Sequence, residues 1–241
     1  MRSIHDNLQA VRQRIARAAQ AAGRDPAGVT LLAVSKTHPA ALVEQALAAG
    51  QRAFGENYVQ EALEKMAALP AGDVEWHLIG PLQSNKTRIV AERFGWVQSV
   101  EGEKVARRLS GQRPAGAAPL NVLIQVNVSG EGSKSGIAPG GVAGLAQEIR
   151  ALPRLRLRGL MAIPEPGADA ARYRELKALY EGLKVEFGFD TLSVGMSDDL
   201  ELAIAEGSTM VRVGTAIFGE RRSRGSAAPP APPSQKIRPA A

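Results

Sequence analysis

The residue best suited to covalent chemistry is Lys36, which directly follows the apolar run LLAVS at 31–35. Four of the other lysines, among them Lys65, lie in helical patterns and are expected on solvated faces, two lie in a polar loop and the tail, and Lys86 opens a helix. An amine at the end of a buried strand is partly desolvated, which favours its use as a Schiff-base nucleophile. The alternative is a lysine that simply ends a strand in solvent.

Two glycine-containing segments near the C-terminus are typical of phosphate binding. Gly195-Met-Ser197 precedes a predicted helix over 198–206, with Ser197 as its N-cap, and Gly214-Thr215 follows the last strand. Free N–H groups at a helix start and close backbone approach at glycine both suit an anion. Asp198 and Asp199 would have to face away from it. Alternatively, the serine and aspartates only cap a helix.

Other strand ends carry weaker signals. Asn57 is equally compatible with a ligand contact and a turn, and His77 is typical of a hydrogen-bonded barrel residue. The segment 80–87, GPLQSNKT, resembles a P-loop, but Asn85 replaces the glycine around which the backbone wraps the β-phosphate. A nucleoside triphosphatase is therefore disfavoured.

Composition excludes several kinds of site and partner. The chain of 241 residues has no cysteine and only three widely spaced histidines, so we predict no metal site and no thiol chemistry. Of the net charge of +6, five positive charges lie in 221–241, which leaves 25 basic against 24 acidic residues in 1–220. We therefore expect neither a nucleic-acid nor a membrane partner. The N-terminus lacks a signal peptide's apolar core, which predicts a cytoplasmic protein.

The elements that must position these residues alternate along the chain. A helix with apolar spacings of four, three and four comes first, and predicted strands then alternate with helical patterns. The strands are 29–35, 52–55, 75–79, 96–100, 121–128, 155–163, 191–195 and 210–213. Eight strands with intervening helices indicate an α/β fold, a single (β/α)8 TIM-type barrel with an extra N-terminal helix. An open doubly wound sheet is the alternative, and strand count by itself does not separate the two. We assign 1–220 to this barrel and 221–241 to a disordered, basic, Pro/Ala-rich tail.

Several motifs at these strand ends resemble the YggS/PROSC family of pyridoxal-phosphate (PLP) proteins. They are AVSKTHP at 33–39, AFGENYVQE at 53–61, WHLIGPLQSNK at 76–86, GSKSGI at 132–137, GLMAI at 159–163, and LSVGMSDDLELAIAEGSTMVRVGTAIFGER at 192–221. The resemblance covers residues 3–221. It implies a fold type III PLP barrel like the N-terminal domain of alanine racemase.

The resemblance also implies a role for each candidate residue. Lys36 would hold PLP as an internal aldimine, and Arg212 would face the pyridine nitrogen. The phosphate would lie against Ser197, Gly214 and Thr215. The ring pocket would be lined by Asn57, His77 and Gly80.

The function implied by the resemblance is PLP homeostasis, by buffering the cofactor or delivering it to PLP-dependent apo-enzymes, in a monomer without robust activity. Similar racemases carry a second domain that supplies a tyrosine base, and here only Tyr58 is expected near the barrel mouth. An amino-acid racemase or related weak PLP enzyme is the alternative. A lysine aldolase acting on a sugar phosphate is a third hypothesis.

Overall fold

The computed structural model describes residues 3–70, 72, 74–130 and 135–220. Eight parallel strands follow one another around a closed barrel in chain order. Their bounds are β1 Thr30–Val34, β2 Ala53–Glu56, β3 Glu75–Leu78, β4 Trp96–Val100, β5 Leu120–Val126, β6 Leu155–Ala162, β7 Thr191–Ser193 and β8 Met210–Val213.

Pairing between the first and last strands closes the barrel. Leu31 lies opposite Val211, and Leu32 lies opposite Arg212, in a parallel register that joins β1 to β8. An open sheet would leave both strands as edges, so this pairing confirms the predicted barrel. It also places residues 180 positions apart in sequence side by side in the barrel wall.

Helices cover the outside of the barrel. They are α1 Ile4–Ala21, α2 Ala40–Ala48, α3 Val59–Ala68, α4 Thr87–Arg93, α5 Glu103–Gln112, α6 Val142–Arg150, α7 Ala170–Phe187, α8 Leu200–Ala205 and α9 Thr215–Phe218. The extra helix α1 begins with a capping box between Ser3 and Asp6 and packs against α8 and α9. Among helices of the described residues, none has both the length and the apolar character that a bilayer crossing requires.

Alternate residues of each strand face the barrel interior or the helices, as the two-residue period of a strand requires. Leu31 and Ala33 belong to the large core beneath the helices, whereas Leu32 and Val34 belong to a small interior cluster. The predicted strands all form, some shorter than predicted, because pairing stops where neighbouring strands end. The predicted tail 221–241 and residues 131–134 of the polar stretch 129–136 lie outside the described residues.

Candidate functional site

A cavity of about 260 Å³ opens at the carboxyl ends of the strands. It brings together six of the eight predicted site residues, from β1, β2, β7 and β8 or the segments that follow them. The lining consists of Val34, Lys36, His38, Asn57, Ile79, Ile163, Met196, Ser197, Asp198, Arg212, Gly214 and Thr215. This volume lies just below the ~300–1,000 Å³ of typical ligand pockets and suits a small molecule.

Lys36 sits in a backbone turn held in an uncommon conformation. Thr37, the next residue, is the only non-glycine residue of the described chain with positive φ, at 66°. That conformation is unfavourable for a β-branched side chain, so surrounding contacts must hold it. One such contact is the Thr37 N–H, which donates to Glu61 Oε1. The segment carrying the candidate nucleophile is thus tied to α3.

A buried ionic cluster beneath this turn contradicts one sequence-based interpretation. Lys65 was assigned to a solvated helix face, but it is only 4% exposed. Its Nζ donates to Glu56 Oε1 at 2.6 Å, Glu61 Oε1 at 2.7 Å and the Ser35 carbonyl oxygen at 2.6 Å. The helical pattern of α3 gives no signal that the long side chain of Lys65 reaches inward between β1 and β2.

The first predicted phosphate segment differs from expectation at its helix. α8 begins at Leu200 rather than 198, and its N-cap is Asp199, not Ser197. Ser197 instead lies in the turn before the helix, on the cavity lining. Gly195 enters this turn with φ of 100°, and a Cβ there would lie 2.5 Å from that of Ala203. A residue with a side chain would therefore displace the turn.

The two aspartates of this segment do not both avoid the site as predicted. Asp198, an exposed residue, is part of the cavity lining. Asp199 accepts hydrogen bonds from the Met196 N–H and the Tyr173 hydroxyl. Burial and this contact raise the pKa of Tyr173. The helical pattern of α7 gave no signal that Tyr173 supports the cavity.

The second segment predicted to bind phosphate also lies on the cavity. Gly214 and Thr215 lie on the lining where β8 passes into α9. A Cβ on Gly214 would lie 3.1 Å from the Val34 carbonyl oxygen, so glycine allows β1 to pack closely. The start of α9 leaves main-chain N–H groups without helical partners, which are suitable donors to an anion.

Arg212 is the most buried cation of the cavity, at 4% exposed. Its Nη1 donates to the Ser193 carbonyl oxygen at 2.8 Å and to Ser193 Oγ at 2.9 Å. Its Nη2 donates to the Ala162 carbonyl oxygen at 2.8 Å. Burial lowers the pKa of Arg212 to about 10, which still leaves it charged at neutral pH. Neutral acceptors thus fix the orientation of the guanidinium without cancelling its charge.

Gly80 and His77 are not among the residues that line the cavity. A Cβ on Gly80 would lie 2.3 Å from the Asn57 carbonyl oxygen. Glycine at this position therefore lets the backbone of Asn57, a lining residue, pack close to β3. His77 and Ile79 are two positions apart and share one face of the chain, and of the two only Ile79 lines the cavity. His77 therefore lies one layer deeper in the barrel interior.

The P-loop-like segment has no nucleotide-binding geometry. Residues 84–86 form a short 3-10 helix with exposed side chains away from the cavity. The buried Thr87 hydroxyl donates to the Ser84 carbonyl oxygen and accepts from Arg108. It is therefore not available to a magnesium ion as a P-loop hydroxyl would be.

His38 is a lining residue that the sequence-based candidates did not include. It is 7% exposed and packs against Phe218, with ring centroids 5.3 Å apart. Its position two residues after Lys36 is the only sequence signal for it, since the turn at Thr37 returns the chain to the cavity.

Comparison with known proteins decides the family. The profile described as the N-terminal domain of alanine racemase matches residues 7–222. The pyridoxal phosphate homeostasis protein of Pseudomonas aeruginosa is 61% identical over 223 residues, covering 92% of this chain and 97% of that protein. The chain belongs to the YggS/PROSC family. The pyridoxal phosphate homeostasis protein of Escherichia coli K12 is 54% identical over 229 residues, covering 92% and 98%.

Solved structures agree with this family. PipY of Synechococcus elongatus, described with PLP bound, matches with a TM-score of 0.78 and 36% identity, covering 90% of this chain and all of PipY. Alanine racemase from Corynebacterium glutamicum matches with a TM-score of 0.62 at 20% identity, covering 91% of this chain and 62% of the racemase. At that identity the likeness concerns the barrel fold alone.

Proposed function

We propose that this YggS/PROSC family protein binds pyridoxal phosphate covalently through Lys36 and holds it for PLP homeostasis. The proposal rests on one observation: Lys36 lines the same cavity as Ser197, Gly214, Thr215 and Arg212. The PLP-bound description of PipY and the names of the relatives from Pseudomonas and Escherichia support the same ligand.

The donor set fits the chemistry of PLP. When bound, PLP supplies an aldehyde that condenses with amines and a pyridine ring that accepts electrons. The Lys36 amine would condense with this aldehyde and release water. Ser197, Thr215 and the main-chain N–H groups after Gly214 are the donors for the phosphate.

The remaining residues position the ring. We assign Arg212 to the pyridine nitrogen and Asn57 to the side of the ring. Because an arginine keeps its proton, Arg212 donates a hydrogen bond and leaves the ring nitrogen unprotonated. An unprotonated ring is a weaker electron sink, which favours holding the cofactor over transforming amino acids.

Visible absorbance with borohydride reduction tests the covalent site. The purified protein with added PLP is expected to absorb in the visible range, and borohydride is expected to fix the cofactor onto the peptide containing Lys36. Lys36→Ala should lose the fixed cofactor. Lys86→Ala is the matched control, since Lys86 is exposed near the same mouth but off the cavity lining, and should retain the cofactor. A Lys36→Ala protein with the same adduct would reject the assignment.

An amino-acid racemase uses the same lysine but needs a second proton-transfer group. Among the described tyrosines, Tyr173 donates to Asp199 and has a raised pKa, so it is not suited to act as a base. Exchange of the Cα proton of amino acids with deuterated solvent tests this alternative. Exchange at ~1–10³ per second, the range of ordinary enzymes, would favour the racemase.

We further propose that the protein acts inside the cell as a monomer and passes PLP to apo-enzymes. Mixing the loaded protein with a PLP-dependent apo-enzyme across a dialysis membrane and in direct contact distinguishes release from transfer. Faster activation on contact supports delivery, and equal rates support buffering alone.

A further inference from the structure

A line of hydrogen bonds crosses the barrel interior from the cavity to the opposite mouth. It runs through Arg212, Ser193, Gln98, His77 and Glu75, and we refer to these five residues as the interior line. Arg212 Nη1 lies 2.9 Å from Ser193 Oγ, which lies 2.8 Å from Gln98 Oε1. Gln98 Nε2 lies 2.9 Å from His77 Nδ1, and His77 Nε2 lies 2.8 Å from Glu75 Oε1.

The strand register explains how the interior line forms. Its members come from β8, β7, β4 and β3, and they occupy interior-facing positions beside the apolar interior residues Met210 and Trp96. Arg212 lines the cavity at the carboxyl ends. Glu75 is the first residue of β3, so it lies at the amino ends, where its side chain is 47% exposed.

The hydrogen bonds of the interior line all have one direction. The His77 contact lowers the pKa of Glu75, and burial lowers the pKa of His77, so at neutral pH Glu75 is ionised and His77 is neutral. An ionised carboxylate only accepts, which makes His77 Nε2 the donor and Nδ1 the acceptor. Gln98 then donates to His77 and accepts from Ser193, whose oxygen accepts from Arg212.

Neighbouring contacts hold the middle of the interior line in this orientation. Gln98 Nε2 also lies 3.2 Å from Met210 Sδ, so the amide nitrogen has acceptors on its side. The His77 ring stacks on Trp96 with centroids 4.9 Å apart and planes inclined by 11°. Hydrogen bonds in a water-poor interior polarise one another, and a chain that ends on a carboxylate strengthens each preceding donor.

We propose that Glu75, His77, Gln98 and Ser193 are positioning residues that fix the guanidinium of Arg212 from the far end of the barrel. This inference rests on the proposed function, because Arg212 is assigned there to the ring nitrogen of PLP. The two carbonyl acceptors of Arg212 hold its outer nitrogens in place. Within the described residues, every direct hydrogen-bond acceptor of Arg212 is neutral. The interior line links Arg212 through successive hydrogen bonds to the negative charge of Glu75.

The first measurement uses the cofactor-free protein. The chain has three histidines, so labelling with ¹⁵N-histidine gives few ring signals. His77 is expected as the Nε2–H tautomer in the wild type and in Glu75→Gln, whose amide oxygen still accepts. Glu75→Ala should lose this preference. The Nδ1–H tautomer in the wild type would overturn the proposal.

The second measurement concerns Arg212 itself. In ¹⁵N-arginine spectra of the cofactor-free protein, assigned with Arg212→Lys, the Arg212 side-chain signal should broaden in Glu75→Ala and in Gln98→Leu. The PLP dissociation constant should rise about tenfold in both, as loss of one charge-assisted hydrogen bond implies, and the visible band should shift. Glu75→Gln keeps an acceptor for His77 but removes the charge, so its Arg212 signal and its PLP affinity should lie between those of the wild type and Glu75→Ala.

Asp190→Ala is the matched control. Asp190 lies at the same mouth, its side chain is 43% exposed, and it pairs with Arg158, whose charge also acts on Glu75. This variant should leave the Arg212 signal and PLP affinity unchanged. Equal effects of Glu75→Ala and Asp190→Ala would overturn the proposal. If the wild type takes no PLP, the proposed function fails, whereas the tautomer and arginine signals still decide the interior line.

Discussion

At the residue scale, the buried Lys65 is the least expected charge near the site. Glu56 is fully buried, and burial raises the pKa of its carboxyl despite the nearby ammonium. The cluster holds the turn of Lys36 through Ser35 on one side and Glu61 on the other. Lys65 pairs with both carboxylates, so removing Lys65 alone should cost more stability than removing it together with the charge of Glu56.

Lys65→Met is therefore expected to lower the free energy of unfolding by about 3–5 kcal/mol, because it leaves a buried carboxylate without a cation. The double variant Lys65→Met, Glu56→Gln should recover more than ~1 kcal/mol of that loss. Denaturant unfolding of the wild type, both single variants and the double variant measures this coupling. Additive losses would show that the pair does not act as a unit.

At the element scale, the added helix α1 supports the proposed phosphate segment. Arg14 Nη2 donates to the Ser197 carbonyl oxygen at 2.9 Å, and Arg14 Nε pairs with Glu201 of α8 at 2.8 Å. The buried face of α1, which includes Leu8 and Val11, fixes the helix against the barrel. The helix thus connects the barrel wall to a turn on the cavity lining.

Arg14→Ala should weaken PLP binding by roughly three- to tenfold, the effect of losing one hydrogen bond of about 1 kcal/mol at the turn. The melting temperature should change little, since exposed ion pairs contribute little stability. Titration of the visible band with PLP measures the affinity. Arg107→Ala, which removes an exposed pair with Glu103 on α5, is the control and should bind normally. Equal affinities of the two variants would contradict a role for α1.

At the scale of the whole molecule, the neutral His77 makes barrel stability depend on pH. Its pKa is lowered from 6.5, chiefly by burial, with Arg158 adding to the shift and Glu75 opposing it. Below about pH 6.5 His77 binds a proton in the unfolded chain, whereas in the folded barrel it stays neutral to lower pH. Unfolding free energy therefore falls with acidification, by up to ~1.4 kcal/mol per pH unit from this group.

Denaturant unfolding of wild type and His77→Gln between pH 7.5 and 5.5 measures this effect. The wild type should lose more stability over this range than the variant, and near pH 7.5 the two profiles should have the same slope. His5 and His38 are present in both proteins, so the comparison isolates His77. Parallel pH profiles would show that His77 is not held neutral.

The strands and six of the twelve cavity residues followed from the sequence, because each strand is a local apolar run and parallel strands place their carboxyl ends together. Lys36 and Thr215 were predicted from such ends. The helix after Ser197 was predicted two residues too early. Its aspartate forms a turn with Met196 and Tyr173 instead of extending the helix, and that contact spans distant parts of the chain.

By itself, the sequence determined the family, the eight strands, the position of Lys36 after an apolar run, and the near-neutral charge of residues 1–220. Only the tertiary structure decided barrel closure, the burial of Lys65 and the interior line. Periodicity specifies which face of a strand or helix a residue occupies. It does not specify which distant side chain completes a hydrogen bond there, because that partner depends on strand register and on how much water the assembled barrel excludes.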